Sequence, residues 1–237
     1  MRFRSSRTQA LVTGTMRLGE ADRIVHLYTR DRGLVSAVAK GVRKTLSRTG
    51  GRLEPFSLVD VVLYQGRSLP TVTGVDTVRA FAGIRESLFR IEEGGELLTT
   101  VRRLLPEEEG NTAAFNLLVR GVAALCVSPD RDSAAKVVLS TRLKLLVSLG
   151  YMPRFDSCSR CGGTNTPCGI DTGSGEFLCA GCMSAAPALQ IGVETVDLLE
   201  HLLERPLAEV DLAASTPPTL AEAKRITHIL LESHSPG

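Results

Sequence analysis

The sequence predicts an α+β chain of more than one domain: a small β-barrel, then a mainly α-helical part carrying an inserted four-cysteine finger. Three observations predict it. Over roughly the first 80 residues, short runs of strand formers are separated by turn signals. From Ile84 the apolar period changes from 2 to about 3.6. Late in the chain, Cys158-Ser-Arg-Cys161 and Cys179-Ala-Gly-Cys182 form two C-x-x-C pairs with 17 residues between them.

The strands come in order. Thr8 to Met16 and Arg23 to Thr29 are rich in β-branched and apolar residues, and Asp31-Arg32-Gly33 is a turn signal. Gly33 to Ala39 alternates, a basic loop runs from Lys40 to Arg52, and Leu58 to Tyr64 is the fourth strand. Gly66-Arg-Ser68 turns the chain into the fifth, Leu69 to Val75. Five short strands with turns between them fit a closed barrel. His26 lies in an apolar strand and reads as packed, not as a ligand.

The helices follow. Leu88, Ile91, Gly95, Leu98, Val101 and Leu105 make one apolar stripe ending at Pro106. Asn111 caps a helix through Phe115, Leu118, Val122 and Leu125, which stops at Ser128-Pro129. Asp132 or Ser133 starts the next, with Val137, Leu139, Leu143, Leu146 and Leu149 as its apolar face and Gly150 as its end. Helices resume over Val193 to Leu203 and from Thr219 to about His234, the latter opened by Pro217-Pro218.

The four cysteines point to a metal. A two-residue gap lets two thiolates from one tight turn reach the same ion, and a second such turn completes a tetrahedral S₄ shell, which suits Zn²⁺. Gly162, Gly163 and Gly181 are placed to supply positive-φ positions, and Thr172 to Leu178 reads as a hairpin returning the chain to the ion. Four protein ligands leave no open position, so the metal holds structure. Disulfides compete with this reading, but Met1 to Arg7 has no apolar signal segment. A redox dithiol would want one pair opening a helix after a strand. Cys168 reads as a bystander and Cys126 as a small core residue.

With 43% apolar and 23% charged residues the composition is that of a globular chain, with no apolar run near the ~20 residues of a membrane helix. Reduced thiols and no export signal make the cytoplasm the expected compartment. The net charge of +2 hides an asymmetry: residues 1–52 hold 12 Lys and Arg against 3 acids, a net of +9, leaving −7 for the rest. Such polarity points to an anionic partner, nucleic acid first and an acidic membrane surface second. Five cations lie on the basic loop: Lys40, Arg43, Lys44, Arg48 and Arg52. Phosphate contacts from Lys and Arg give affinity without a sequence code. Gly41, Gly50 and Gly51 free its backbone, and Thr45, Ser47 and Thr49 add hydroxyl donors.

Tyr28, Phe56 and Tyr64 are the candidates for base stacking. Arg102, Arg103, Arg142, Lys144 and Arg154 could form a second basic surface or be ordinary helix charge. Catalytic patterns are absent: no P-loop, G-x-S-x-G or H-E-x-x-H occurs, and Asp60 is the one acid whose burial would suggest chemistry. The sequence therefore reads as non-enzymatic.

The order of parts resembles a known family. The barrel, the segment Ala39-Lys-Gly-Val-Arg-Lys44, and Leu53-Glu-Pro-Phe-Ser-Leu-Val-Asp60 before a strand are similar to the bacterial RecO recombination mediators. So is Leu143-Lys-Leu-Leu-Val-Ser-Leu-Gly-Tyr-Met-Pro153 leading into Cys158. The resemblance implies an oligonucleotide-binding (OB) barrel at 1–80 and a helical domain at 81–237 with a zinc finger at 155–185. It also implies binding of single- and double-stranded DNA and annealing of complementary strands. With RecR, such proteins load RecA onto DNA covered by single-strand-binding protein. DNA contact falls on Lys40, Arg43 and Lys44, and metal binding on Cys158, Cys161, Cys179 and Cys182. The alternative is a zinc-ribbon adaptor between proteins, or a sequence-specific regulator.

Overall fold

Residues 5–43, 49–66, 68–105, 109–151, 153–164 and 167–234 are described by the computed structural model, and the expected elements form within them with altered bounds. Five strands come first: β1 (Ser5–Leu18), β2 (Asp22–Thr29), β3 (Gly33–Ala39), β4 (Leu58–Tyr64) and β5 (Thr71–Arg79). They close into a barrel in the order β1-β2-β3-β5-β4. In a closed barrel every strand serves two neighbours, and a long strand can do so along different parts of its length. The 14-residue β1 does so, pairing with β4 through Ser5–Leu11 and with β2 through Ala10–Leu18. A register shift between Val12 and Gly14 bends it, and Thr13 Oγ1 donates to the His26 carbonyl at 3.1 Å beside the irregularity.

Alternate positions fill the barrel. Ala10, Val12, Val25, Leu27, Ala37, Ala39, Val59, Val61, Leu63 and Val75 are buried together, joined by Val42 and Leu53 from the loop between β3 and β4. Before β4, Glu54-Pro-Phe-Ser57 makes a turn closed by Ser57 N–H to the Glu54 carbonyl at 3.1 Å. Phe56 has φ +70° there, a position that usually takes Gly. Its nearly complete burial offsets the roughly 1–2 kcal/mol of left-handed strain.

Among the described residues six α-helices follow: α1 (Leu88–Leu104), α2 (Thr112–Val127), α3 (Arg131–Ser148), α4 (Ala180–Met183), α5 (Val193–Glu204) and α6 (Pro217–Ser233). The chain divides into two compact units, Met1–Ile91 with Leu105–Cys126, and Glu92–Leu104 with Val127–Gly237. In the first, α2 lies with the barrel: Phe115 meets Tyr28 at a ring distance of 6.2 Å. In the second, α3 packs against both α5 and α6.

Caps set the helix ends. Asn111 Oδ1 accepts from Ala114 N–H at 2.9 Å, as the sequence predicts. For α3 the cap is Asp130, accepting from Ser133 N–H at 2.8 Å, and not Asp132 or Ser133. Gly150, at φ +92°, ends that helix; its N–H bonds the Val147 carbonyl and Tyr151 N–H bonds that of Leu146.

The apolar stripe of α1 differs from expectation. Leu88 and Ile91 are exposed, and burial begins at Glu93 and Gly94, continuing through Leu97, Leu98, Val101 and Leu104. Glu93 is buried because Lys224 of α6 pairs with it at 2.5 Å. Helix α3 is buried nearly all round, not on one face. Its polar residues find carbonyl partners: Lys136 Nζ donates to Ala213 O at 2.7 Å and Ser140 Oγ to Leu202 O at 2.6 Å.

Candidate metal centre and nucleic-acid interface

The finger sits between α3 and α5 and has more secondary structure than a single hairpin. Strands β6 (Gly169–Asp171), β7 (Phe177–Leu178) and β8 (Ala188–Gln190) form a sheet in the order β7-β6-β8. Asp171, nearly buried, holds the β6–β7 turn by accepting from Gly173 N–H at 2.9 Å, Ser174 N–H at 3.1 Å and Arg160 Nη2 at 3.0 Å. Gly175 closes the turn at φ +73°, where Ser233 of α6 leaves no room for a Cβ. Phe155 and Phe177 of β7, both buried, meet edge to face at 5.1 Å.

The first cysteine pair lies on a knuckle closed by Gly162 N–H to the Cys158 carbonyl and Cys158 N–H to the Gly163 carbonyl, both 2.9 Å. Only Gly162 takes positive φ, at +72°; Gly163 and Gly181 do not. The second pair follows strand β7 and opens α4, with Cys179 at its N-cap. That local arrangement is the one a redox dithiol would use, but the surroundings differ: all four sulfurs lie within 4.8 Å of one another. Cys161 Sγ and Cys179 Sγ are 3.8 Å apart. A tetrahedral ion with metal–sulfur bonds of ~2.3 Å has edges of about 3.8 Å. The four residues therefore fit a metal ion. All six cysteines are free of disulfides, and Cys168 stays outside the cluster.

The backbone prepares the site for a cation. Hydrogen bonds from the backbone of Cys179, then of Cys161 and Arg160, bring the Cys158 thiol down to about 6. Burial, followed by the neighbouring thiols, pushes Cys182 up to about 12. The backbone N–H groups around Cys158 thus favour a thiolate there, the form that binds a metal ion.

On the barrel, the ends of the basic loop are pinned. Gly41, at φ +67°, donates its N–H to Asp22 Oδ1 at 2.8 Å; Arg43 N–H bonds the Ala21 carbonyl and Arg43 Nη1 the Gly19 carbonyl, both 3.0 Å. Lys40 and Arg43 are exposed at the tip of the β1–β2 hairpin. Arg17 joins them, an exposed cation the sequence reading counted only in the net charge; it pairs in register with Arg23, itself opposite Ala39. A hairpin turn around Gly19 was the available signal. Arg52 is elsewhere, its Nη1 donating to Val75 O at 2.6 Å and lying 3.4 Å from Asp76 Oδ1. Lys44 and Arg48, with Thr45 and Ser47, lie outside the described residues.

Several expected surface groups are not at the surface. Tyr28 is fully buried and Phe56 nearly so, leaving Tyr64, 40% exposed, as the single stacking candidate of the three. Arg142 is buried against Glu96 Oε2 at 2.8 Å, and Lys144 is half-buried on Leu202 O at 2.7 Å. Neither serves a second basic surface, while Arg102, Arg103 and Arg154 remain exposed. Asp60 is not a buried acid; it is partly exposed and pairs with Arg7 at 3.2 Å. Cys126 is half-buried. No helix among the described residues is long and apolar enough to cross a membrane.

A closed five-stranded, OB-like barrel is followed by a helical part with a four-cysteine finger, and these parts match a family of recombination proteins. The family descriptions agree along the chain: "Recombination protein O N terminal" matches residues 1–81 and "Recombination protein O C terminal" residues 85–237. The chain belongs to the RecO family of DNA repair proteins, which act in recombination without being enzymes. It is 39% identical over 239 residues to the DNA repair protein RecO of Rubrobacter xylanophilus, covering 98% of this chain and 92% of that one. It is 41% identical over 236 residues to that of a Nocardioides species (96% and 93% covered), and 36% identical over 221 to that of an Anaeromyxobacter species (91% and 86%).

Proposed function

We propose that this chain binds single- and double-stranded DNA through phosphate contacts on its barrel and anneals complementary strands. With RecR it helps place RecA on DNA coated by single-strand-binding protein, in the bacterial cytoplasm at the nucleoid. Residues 1–80 act as the DNA-binding domain; residues 81–237 form the helical domain, with its finger at 155–185. The observation that carries this reading is the net charge of +9 on residues 1–52, in a chain of the RecO family. Lys40, Arg43, Lys44 and Arg48 carry the phosphate contacts, whereas Arg52, held by the Val75 carbonyl and Asp76, stands apart from them.

Annealing needs no catalytic group. Two strands repel, and a surface that neutralises phosphates on both lowers that barrier and raises their local concentration. The ion held by Cys158, Cys161, Cys179 and Cys182 is one structural Zn²⁺, whose preference for tetrahedral thiolate shells matches the donor set. The test is strand annealing by the full chain beside a variant with Lys40, Arg43 and Lys44 all changed to Glu. Annealing and DNA affinity should both collapse in the variant; undiminished activity would exclude the loop as the main contact.

A further inference from the structure

The barrel's cations are not equally available. On its β1–β4–β5 side, Asp60 and Asp76 stand directly opposite one another in antiparallel register. Like charges at such a position repel and weaken a sheet. Two arginines compensate. Arg7 Nη2 lies 3.2 Å from Asp60 Oδ2 and 3.9 Å from Asp76 Oδ2, and Arg52 Nη1 lies 3.4 Å from Asp76 Oδ1. The four charges alternate, Arg52–Asp76–Arg7–Asp60, and sum to zero. Asp76 is 74% exposed, so packing does not require its charge. Among the described residues, Lys40 and Arg43 have no carboxylate partner at ion-pair distance, although they belong to the same barrel.

We propose that Asp60 and Asp76 are specificity-determining residues that withhold Arg7 and Arg52 from phosphate and confine nucleic acid to the hairpin end of the barrel. The proposal rests on the DNA-binding reading above. A single exposed ion pair is weak, but these are linked. A phosphate that captures Arg52 leaves Asp76 facing Asp60 with less positive charge between them. Displacement therefore costs cross-strand repulsion as well as an ion pair. At the hairpin tip, Arg43 is held by neutral carbonyls, which leave its charge uncompensated for a phosphate.

The test is fluorescence anisotropy with a labelled oligothymidylate across salt, using the full chain, Asp76→Asn, Arg52→Gln and the double variant. Arg52→Gln alone should change affinity by less than about twofold, since that arginine makes no phosphate contact. Asp76→Asn should tighten binding and steepen the slope of log K against log [salt] by about 0.7 for each arginine recruited. Adding Arg52→Gln to Asp76→Asn should reverse part of both gains. The proposal is overturned if Arg52→Gln weakens the unaltered chain as much as it weakens Asp76→Asn. It is also overturned if Asp76→Asn tightens binding at constant slope, the mark of a through-space charge effect, or only lowers the melting temperature. Absence of binding by the unaltered chain would overturn the DNA-binding reading itself, and this proposal with it.

Discussion

Tyr28 carries its hydroxyl into a place without a partner. The side chain is fully buried, its Oη makes no hydrogen bond, and burial pushes its pKa up to about 12. A buried polar atom left unpaired costs roughly 1–3 kcal/mol. Tyr28→Phe keeps the ring against Phe115 and removes that cost, so the variant should be more stable by about 1 kcal/mol, measured by urea denaturation. DNA affinity should not change, because the ring faces α2. A less stable variant would show that the hydroxyl is satisfied in solution. The cysteines behave oppositely, since each is needed. With the proposed Zn²⁺ on these four cysteines, Cys158→Ser should lower metal content and unfold the finger, read as lost zinc and a lower melting temperature. Structural sites in zinc-finger peptides carry roughly 10–16 kcal/mol of apparent binding energy near neutral pH. Acid should release the metal from the unaltered chain as protons compete for the thiolates; full stability in a strong chelator would contradict the structural role.

Helix α3 shows what packing does to a charged residue at the scale of an element. Its Lys144 ends on the Leu202 carbonyl near the C-terminal end of α5, and burial pushes its ammonium down to about 8. In the unfolded chain it titrates near about 10.4, so between these values the unfolded chain binds more protons. This residue therefore makes stability rise as pH goes from about 8 to about 10.4. Lys144→Met should flatten that rise, while Ser140 keeps the Leu202 carbonyl satisfied. Denaturant titrations at several pH values check it, and an unchanged slope in the variant would sink the account. The same helix explains where sequence reading ran out. Strands, caps such as Asn111, and the terminator Gly150 are local signals and were legible. Burial of Arg142, Lys144 and Glu93 depends on partners far along the chain, including Glu96, Leu202 and Lys224, which no periodicity reveals. The register shift in β1 and the third strand of the finger were hidden for the same reason, as both depend on pairing between segments.

Across the whole molecule, the proposed function turns on where charge remains uncompensated. The four-cysteine spacing was the clearest sequence signal, and the sulfurs do come together. The basic loop was legible as composition, but its division was not. Lys40 and Arg43 stand at the hairpin tip with Arg17, whereas Arg52 is tied to Asp76. Binding driven by phosphate contacts should be sequence-tolerant and should fall steeply with salt. If about four cations contact single-stranded DNA, the slope of log K against log [salt] should be near −3. Replacing Lys40, Arg43 and Lys44 with Glu should flatten it and weaken binding at every salt concentration. That salt titration, with single-stranded DNA and the full chain beside the triple variant, is the most direct test of a charge-driven mediator. A slope near −3 that collapses in the variant is the predicted result; an affinity indifferent to salt, or a variant that binds as before, would contradict it.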